Sequence, residues 1–196
     1  LLGYSYGDGY VEMSKLGYPV ALSLACSNDY PEIKKTLNNV CEELFSKTLT
    51  LRKGDGDLEV LTLSSVILMQ FLKENDLLKQ KSFDIKIPSK IWESPTDVQI
   101  AFISGYFDAD GYASGKKKGY VLSSISKSFL RDIQTILLSN GIVSKIHTEE
   151  REDKGWHTLY NLCIVGKSSQ ENFVSLATDS VKVGKSQHIS KRDCII

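Results

Sequence analysis

Two stretches of this chain are versions of one another, and they restrict what it can fold into more than anything else in it. Residues 103–111 read Ile-Ser-Gly-Tyr-Phe-Asp-Ala-Asp-Gly, and residues 1–9 read Leu-Leu-Gly-Tyr-Ser-Tyr-Gly-Asp-Gly. Each predicts an apolar helix rich in small residues that stops at an acid and a glycine. The closing aspartates, Asp8 and Asp110, are separated by half the length of the chain. An acid-terminated helix that recurs at that interval predicts a duplication.

The segments between and after the two copies agree with that. After residue 9 the pattern predicts strands at 10–13 and 17–25, with Pro19 where a missing N–H is tolerated. Ser27-Asn28-Asp29 is read as a cap before a helix with Pro31 in its first turn and Ile33, Leu37, Val40 and Leu44 on one face. Strands at 48–53 and 58–63 flank the turn Gly54-Asp55-Gly56, and Ser64-Ser65 starts a helix running to about residue 78. The second half repeats this order. A helix at 96–109, capped by Thr96-Asp97, leads to strands near Tyr112 and at 120–125. A helix after Ser126 ends at Asn140-Gly141, strands at 142–148 and 158–165 enclose a polar hairpin, and Ser168-Ser169 starts a last helix through Ala177. Gly17-Tyr18 follow Asp8 at the same spacing at which Gly119-Tyr120 follow Asp110. The hairpin glycines Gly54 and Gly155 follow their aspartates at spacings that differ by a single position. Each half therefore reads helix–strand–strand–helix–strand–strand–helix. The division is 1–94, including a lysine-rich linker at 79–94, and 95–196.

The small residues Gly3, Gly7, Ser104, Gly105 and Ala109 allow two helix backbones to approach closely. Packed along that face, the helices bring Asp8 and Asp110 side by side. Each carboxylate then sits at the negative end of a helix dipole, opposite a like charge. With Gly9 and Gly111 ending the helices, the carbonyls of Gly7 and Ala109 are expected to face the same point. Carboxylates with carbonyls, and no Cys or His cluster, form a hard-oxygen set suited to Mg²⁺. Such an ion offsets the repulsion and can activate water beside a phosphodiester. For one Asp-Gly the simpler reading is a solvated acid at a helix end; two, on duplicated helices, favour the metal.

Cleavage also calls for a cation near the phosphate. Lys86 follows Asp8, and Lys185 follows Asp110, at similar spacings, each beyond the last predicted helix of its half. Lys15, Arg52, Lys53, Lys116, Lys117, Lys118, Lys145 and Arg151 fall on strands or their loops, where side chains can reach bases and phosphates, although any one alone reads as a solvated charge. His147, with Ser123 and Thr148, could read bases. Composition adds little: the chain holds 24 basic and 24 acidic residues, with 11 against 14 in residues 1–100 and 13 against 10 in the remainder. The four cysteines, Cys26, Cys41, Cys163 and Cys194, have no metal spacing and are expected as reduced thiols. With no apolar run of membrane length and no secretory leader, an intracellular protein is expected.

Residues 103–111 resemble the LAGLIDADG (dodecapeptide) homing endonuclease motif closely, and residues 1–9 more loosely, because Tyr6 replaces the middle acid. Two copies in one chain resemble the family's single-chain monomers. The resemblance implies an α+β fold of two pseudo-twofold-related αββαββα halves, with the motif helices at the interface and two four-stranded antiparallel sheets that bind double-stranded DNA. It implies Mg²⁺-dependent cutting of a long asymmetric site, with Mn²⁺ as a substitute, and Asp8 and Asp110 as the metal-binding acids. Lys86-Ile87-Pro88 is similar to the family's Lys-x-x-Pro or Lys-x-Pro segment, with Lys90 as the alternative; Lys185 is the counterpart, with Lys182 its competitor. The rival expectation is a non-cleaving nucleic-acid binder of the same fold, an RNA maturase or a DNA-binding regulator, and the retention of both acids argues against it. The Asp-Ala-Asp-Gly style leans toward an intein. The chain starts directly on the motif and lacks splicing residues, so it is expected to be only the nuclease part of one, with lead-in residues before Leu1.

Overall fold

The computed structural model describes residues 1–186 except 55, 80, 115–118, 152 and 154, and of residue 114 only the backbone. The first half runs α1 (Leu2–Asp8), β1 (Gly9–Met13), β2 (Pro19–Ser27), α2 (Pro31–Phe45), β3 (Thr50–Lys53), β4 (Leu58–Leu63) and α3 (Val66–Glu74). A short α4 (Ser89–Trp92) precedes the second half: α5 (Thr96–Asp110), β5 (Gly111–Ser114), β6 (Gly119–Ser124), α6 (Lys127–Ser139), β7 (Ser144–Glu149), β8 (Leu159–Ile164), α7 (Lys167–Leu176) and α8 (Val181–Lys185). The two sheets have the orders β1-β2-β4-β3 and β5-β6-β8-β7, antiparallel throughout. The same topology thus occurs twice, and the expected αββαββα pattern describes each half. Among the described residues, no helix is long and apolar enough to cross a membrane.

One face of each sheet is covered by its own helices. Leu22, Leu24, Leu61 and Leu63 pack with Ile33, Leu37 and Cys41 of α2 and Leu68, Met69 and Leu72 of α3. Tyr120, Leu122, Leu162 and Ile164 pack with Phe129, Leu130 and Ile133 of α6 and Phe173 of α7. Burying each such side chain contributes about 1.5–3 kcal/mol. The period-2 pattern of the strands leaves the opposite face for polar residues. Cys26 and Cys41 are buried free thiols and Cys163 is buried as well; Cys194 lies outside the described residues.

Several local expectations change. The expected Ser27-Asn28-Asp29 cap does not form: the N-cap of α2 is Tyr30, and the helix begins on Pro31. Pro95, rather than Thr96-Asp97, occupies the N-cap of α5, and Gly166, rather than Ser168-Ser169, that of α7. In each case proline or positive-φ glycine sets the entry without a side-chain cap. Ser65 and Ser126 do cap, accepting from the Leu68 and Phe129 amides. Helix α3 stops at Glu74, and α8 is an element the periodicity did not reveal. The 79–94 stretch is not merely polar: Ile85, Ile87 and Ile91 enter the core of the second half.

Candidate metal and nucleic-acid site

Helices α1 and α5 pack on glycine. A Cβ on Gly3 would fall 1.9 Å from the Phe102 carbonyl oxygen, and one on Gly105 would fall 2.9 Å from the Tyr4 nitrogen. Farther along, a Cβ on Gly7 would fall 2.4 Å from that of Ala109. The helices therefore stay in backbone contact up to their ends. Gly9 and Gly111 close them in extended geometry (φ −105° and −99°), not in the left-handed turn common at helix ends, and pass straight into β1 and β5. A Cβ at Gly9 would meet the Ser5 carbonyl oxygen at 2.5 Å, and one at Gly111 the Phe107 ring at 2.4 Å, so both places exclude any larger residue.

This packing places Asp8 and Asp110 together at the interface. Burial, then the charge of Asp8, raises the Asp110 carboxyl to about 6, against the pull of the Tyr106 hydroxyl, Lys79 and Lys182. Burial also raises Asp8, again opposed by Lys182 and Lys79. Neither carboxylate forms an ion pair among the described residues.

The neighbouring carbonyls, expected from the sequence to be free, instead accept from two lysines. Lys79 Nζ donates to Gly7 O (2.6 Å) and Gly9 O (3.0 Å). Lys182 Nζ donates to Ala109 O (2.8 Å) and Gly111 O (2.9 Å). Each lysine thus spans the carbonyls on either side of one aspartate. Both ammonium groups are driven below their ordinary pKa by burial, with the aspartates opposing.

The structure does not bring Lys86 or Lys185 to this point. Ile85 and Ile87 are both buried, so alternation turns Lys86 the other way, toward Asp132 on α6. Lys185 pairs with Glu32 of α2 at 2.6 Å, and Lys90 lies 3.9 Å from Glu93. The lysines that reach the ends of the two helices are Lys79 and Lys182, the latter already the competitor of Lys185. Their spacings from Asp8 and Asp110 agree to within one position, whereas those of Lys86 and Lys185 differ by three, and that agreement was the available signal.

Of the expected DNA contacts, Arg52, Lys145 and His147 lie on the sheet faces away from the helices. Arg52 bonds Thr62 (2.9 Å) and Ser23 (3.3 Å) and pairs with Glu12. His147 stands opposite Asn161, which in turn stands opposite Ser123, with Lys145 two residues along on the same face. Thr148 and Lys53, each one residue out of phase, occupy the helix-side faces; Lys53 is opposite Glu59, which pairs with Lys34 of α2. Lys15 is exposed in the β1–β2 turn. Arg151 pairs with Glu149 at 2.9 Å and lies 5.9 Å from the Trp156 ring. Lys116, Lys117 and Lys118 lie outside the described residues.

The donor set fits a divalent ion. All its oxygens are hard, two are raised-pKa carboxylates with no ion pair among the described residues, and the helix ends present carbonyls beside them. Among the described residues no cluster of three or more His, Cys, Asp or Glu forms a metal cage. Two carboxylates suit Mg²⁺, which keeps several waters and uses phosphate oxygens as ligands.

Residues 97–177 match the family model described as a LAGLIDADG-like domain. Over 88% of its length the chain is 27% identical to part of a glutamine–fructose-6-phosphate aminotransferase of Methanocaldococcus jannaschii, covering 15% of that protein. It is 36% identical over 50% of its length to a probable translation initiation factor of the same organism, covering 9% of it. It is 26% identical over 71% of its length to the DNA polymerase II large subunit of Thermococcus kodakarensis, covering 7%. The chain thus spans only a small part of each of these relatives. Among solved structures it is similar to I-DmoI in complex with DNA and Ca (TM-score 0.67, 21% identity, 92% of this chain and 87% of that one). It is also similar to the homing endonuclease I-WcaI bound to its DNA recognition sequence (TM-score 0.56, 16% identity, 91% and 78%). These likenesses share the fold of two halves, each with one four-stranded sheet.

Proposed function

For a chain that carries a LAGLIDADG-like domain in its second half and has the two-half fold of homing endonucleases, we propose the activity of a site-specific double-strand DNA endonuclease. The observation that carries this reading is the pairing of Asp8 and Asp110 at the ends of two helices in backbone contact, each flanked by a lysine in an equivalent position.

Asp8 and Asp110, with the carbonyls of Gly7 and Ala109, would hold Mg²⁺, with Mn²⁺ able to replace it. Bound there, the ion supplies Lewis acidity at the scissile phosphate and a water of lowered pKa. The chain's own contribution is geometric and electrostatic. Lys79 and Lys182 set positive charge against the two phosphates. The outer sheet faces position the duplex over the carboxylates, with Arg52 in one half and Lys145 and His147 in the other. Because both acids come from one chain, a monomer suffices, and unequal halves read an asymmetric target.

The relatives support a further reading. An aminotransferase, an initiation factor and a polymerase subunit have unrelated names, and the chain matches only a small part of each. A stretch shared in this way is an inserted element, so we infer that the protein is the nuclease part of an intein. Splice-junction residues in the flanking reading frame test that inference, and an uninterrupted nuclease gene there defeats it.

Incubation with a randomised plasmid library and Mg²⁺ tests the activity. The expected products are linear plasmids with short cohesive ends at one recovered site, lost in Asp110→Asn without loss of DNA binding. Binding without cutting in Mg²⁺ or Mn²⁺ defeats the nuclease reading, and indiscriminate digestion defeats its specificity.

A further inference from the structure

Two residues before each aspartate, the halves differ in sequence: Asp108 in α5, Tyr6 in α1. Both side chains nevertheless reach the backbone segment that carries the neighbouring lysine. Asp108, almost fully buried, collects three donors from the start of α8: the Ser180 hydroxyl at 2.7 Å, the Lys182 amide at 2.9 Å and the Val181 amide at 3.0 Å. Ser180 itself caps that helix, accepting from the Val183 amide at 3.1 Å. The first turn of α8 therefore hangs from one carboxylate. Lys182 lies within that turn and extends back to the carbonyls of Ala109 and Gly111.

The first half does the same work with less. The Tyr6 hydroxyl donates one neutral bond, at 3.3 Å, to the Leu77 carbonyl, two residues before Lys79. Among the described residues no helix follows there before the one that begins at Ser89. Hydrogen bonds to an ionised acceptor are roughly twice as strong as neutral ones. Lys182 is thus held by a charged, three-pronged side-chain anchor in a helical turn, whereas the irregular segment before Lys79 has one neutral side-chain contact, from Tyr6, beside the Leu77 amide bond to the Leu72 carbonyl (2.8 Å) and the burial of Leu77.

We propose that Asp108 is the positioning residue for Lys182, that Tyr6 is its weaker counterpart for Lys79, and that this inequality makes the protein cut the two DNA strands at different rates, the strand served by Lys182 first. The inference rests on the endonuclease reading. A reacting group held in place reacts faster than one that must be ordered first, and a misplacement near 1 Å costs up to about a hundredfold. A nicked duplex is the intermediate such a pair of sites produces.

The test uses the whole chain, Mg²⁺ and a supercoiled plasmid bearing the site recovered from the library, with strand-resolved rates from end-labelled duplex. For the wild type, nicked circles precede linear plasmid. Asp108→Asn slows one strand by about tenfold or more, leaves the other within about twofold, and leaves DNA affinity unchanged, so nicked circles accumulate. The slowed strand is the one that Lys182→Met also loses, a coincidence that general loss of stability does not produce. Tyr6→Phe slows only the other strand, by less than about threefold. Should Asp108→Asn fail to fold, Ser180→Ala, which removes one of the three donors, slows the same strand by a smaller factor. A parallel fall in both strand rates, or slowing of the strand that depends on Lys79, overturns the positioning role while the nuclease reading stands. A wild type that cuts no plasmid removes the nuclease reading and this inference with it.

Discussion

Gly7 and Ala109 lie so close that a Cβ on Gly7 would sit 2.4 Å from that of Ala109, and the residues that follow them are the aspartates. The carboxylates are therefore side by side because backbone packing puts them there, against their own repulsion. The interface is fixed upstream, at Gly3 and Gly105, where no charge is involved. That separation of causes lets an unfavourable pair of acids persist in a folded protein, and it gives the pair a measurable signature.

The signature is a stability that falls with pH. The Asp110 carboxyl titrates at about 6 in the folded chain, against about 3.9 unfolded. A raised carboxyl favours the protonated form. Its contribution is complete below the unfolded value and is lost as pH rises through 6, a swing on the order of 3 kcal/mol. In metal-free buffer, Asp110→Asn is expected to match the wild type near pH 4 and to exceed it increasingly between pH 4 and 7. Urea unfolding across that range checks it, and equal slopes for the two proteins defeat it. Adding Mg²⁺ should raise the melting temperature of the wild type but not of Asp110→Asn.

The lysines give a second contrast. Lys79→Met and Lys182→Met each remove a cation that spans the carbonyls around one aspartate, and each is expected to slow cleavage of one strand by about a hundredfold. Lys86→Met and Lys185→Met, which remove partners of Asp132 and Glu32 instead, should leave both strand rates within about threefold of wild type. Strand-resolved rates measured on the four variants decide between the two pairs.

What the sequence made legible follows from what repeats. The duplicated motif, the turn glycines and the alternating strands carried the two-sheet architecture and placed Asp8 and Asp110 together. The lysines beside the aspartates were not legible for a local reason. Lys86 looked free in a polar connection, yet Ile85 and Ile87 on either side are core residues of the second half, and burying both turns Lys86 away. Lys182 lies on α8, a five-residue helix too short for periodicity to reveal. The hydrogen bonds of Asp108 to Ser180, Val181 and Lys182 are long-range and have no counterpart in local pattern.

Strand parity separates readers of DNA from bystanders. Arg52 and His147 lie on outer sheet faces, while Lys53 lies on the helix side opposite Glu59. Arg52→Ala and His147→Ala are each expected to relax discrimination at one or two base pairs by about 1–3 kcal/mol. Lys53→Ala should change affinity little at every position. Profiling cleavage over a library of single-base variants of the target tests this, and a base-specific change in Lys53→Ala would contradict the assignment of faces.

Gly3 is where the whole site is most sensitive to one methyl group. An alanine Cβ there would stand 1.9 Å from the Phe102 carbonyl oxygen, a backbone atom in the middle of α5 that no rotamer change can move aside. The helices must part, and overpacking of this kind costs about 3 kcal/mol or more. For a chain of this size that lowers the melting temperature by roughly 10 °C. Gly184→Ala is the matched control, because nothing lies within 4 Å of its Cβ and it sits inside α8, where alanine is favoured by about 1 kcal/mol. The two melting curves should move in opposite directions. Parted helices also separate Asp8 from Asp110, so the carboxyl of Asp110 in Gly3→Ala should titrate lower than in the wild type, readable by carbon-13 NMR of the labelled side chain. An unchanged titration with a lowered melting temperature would show that the acids are held together by something other than helix contact.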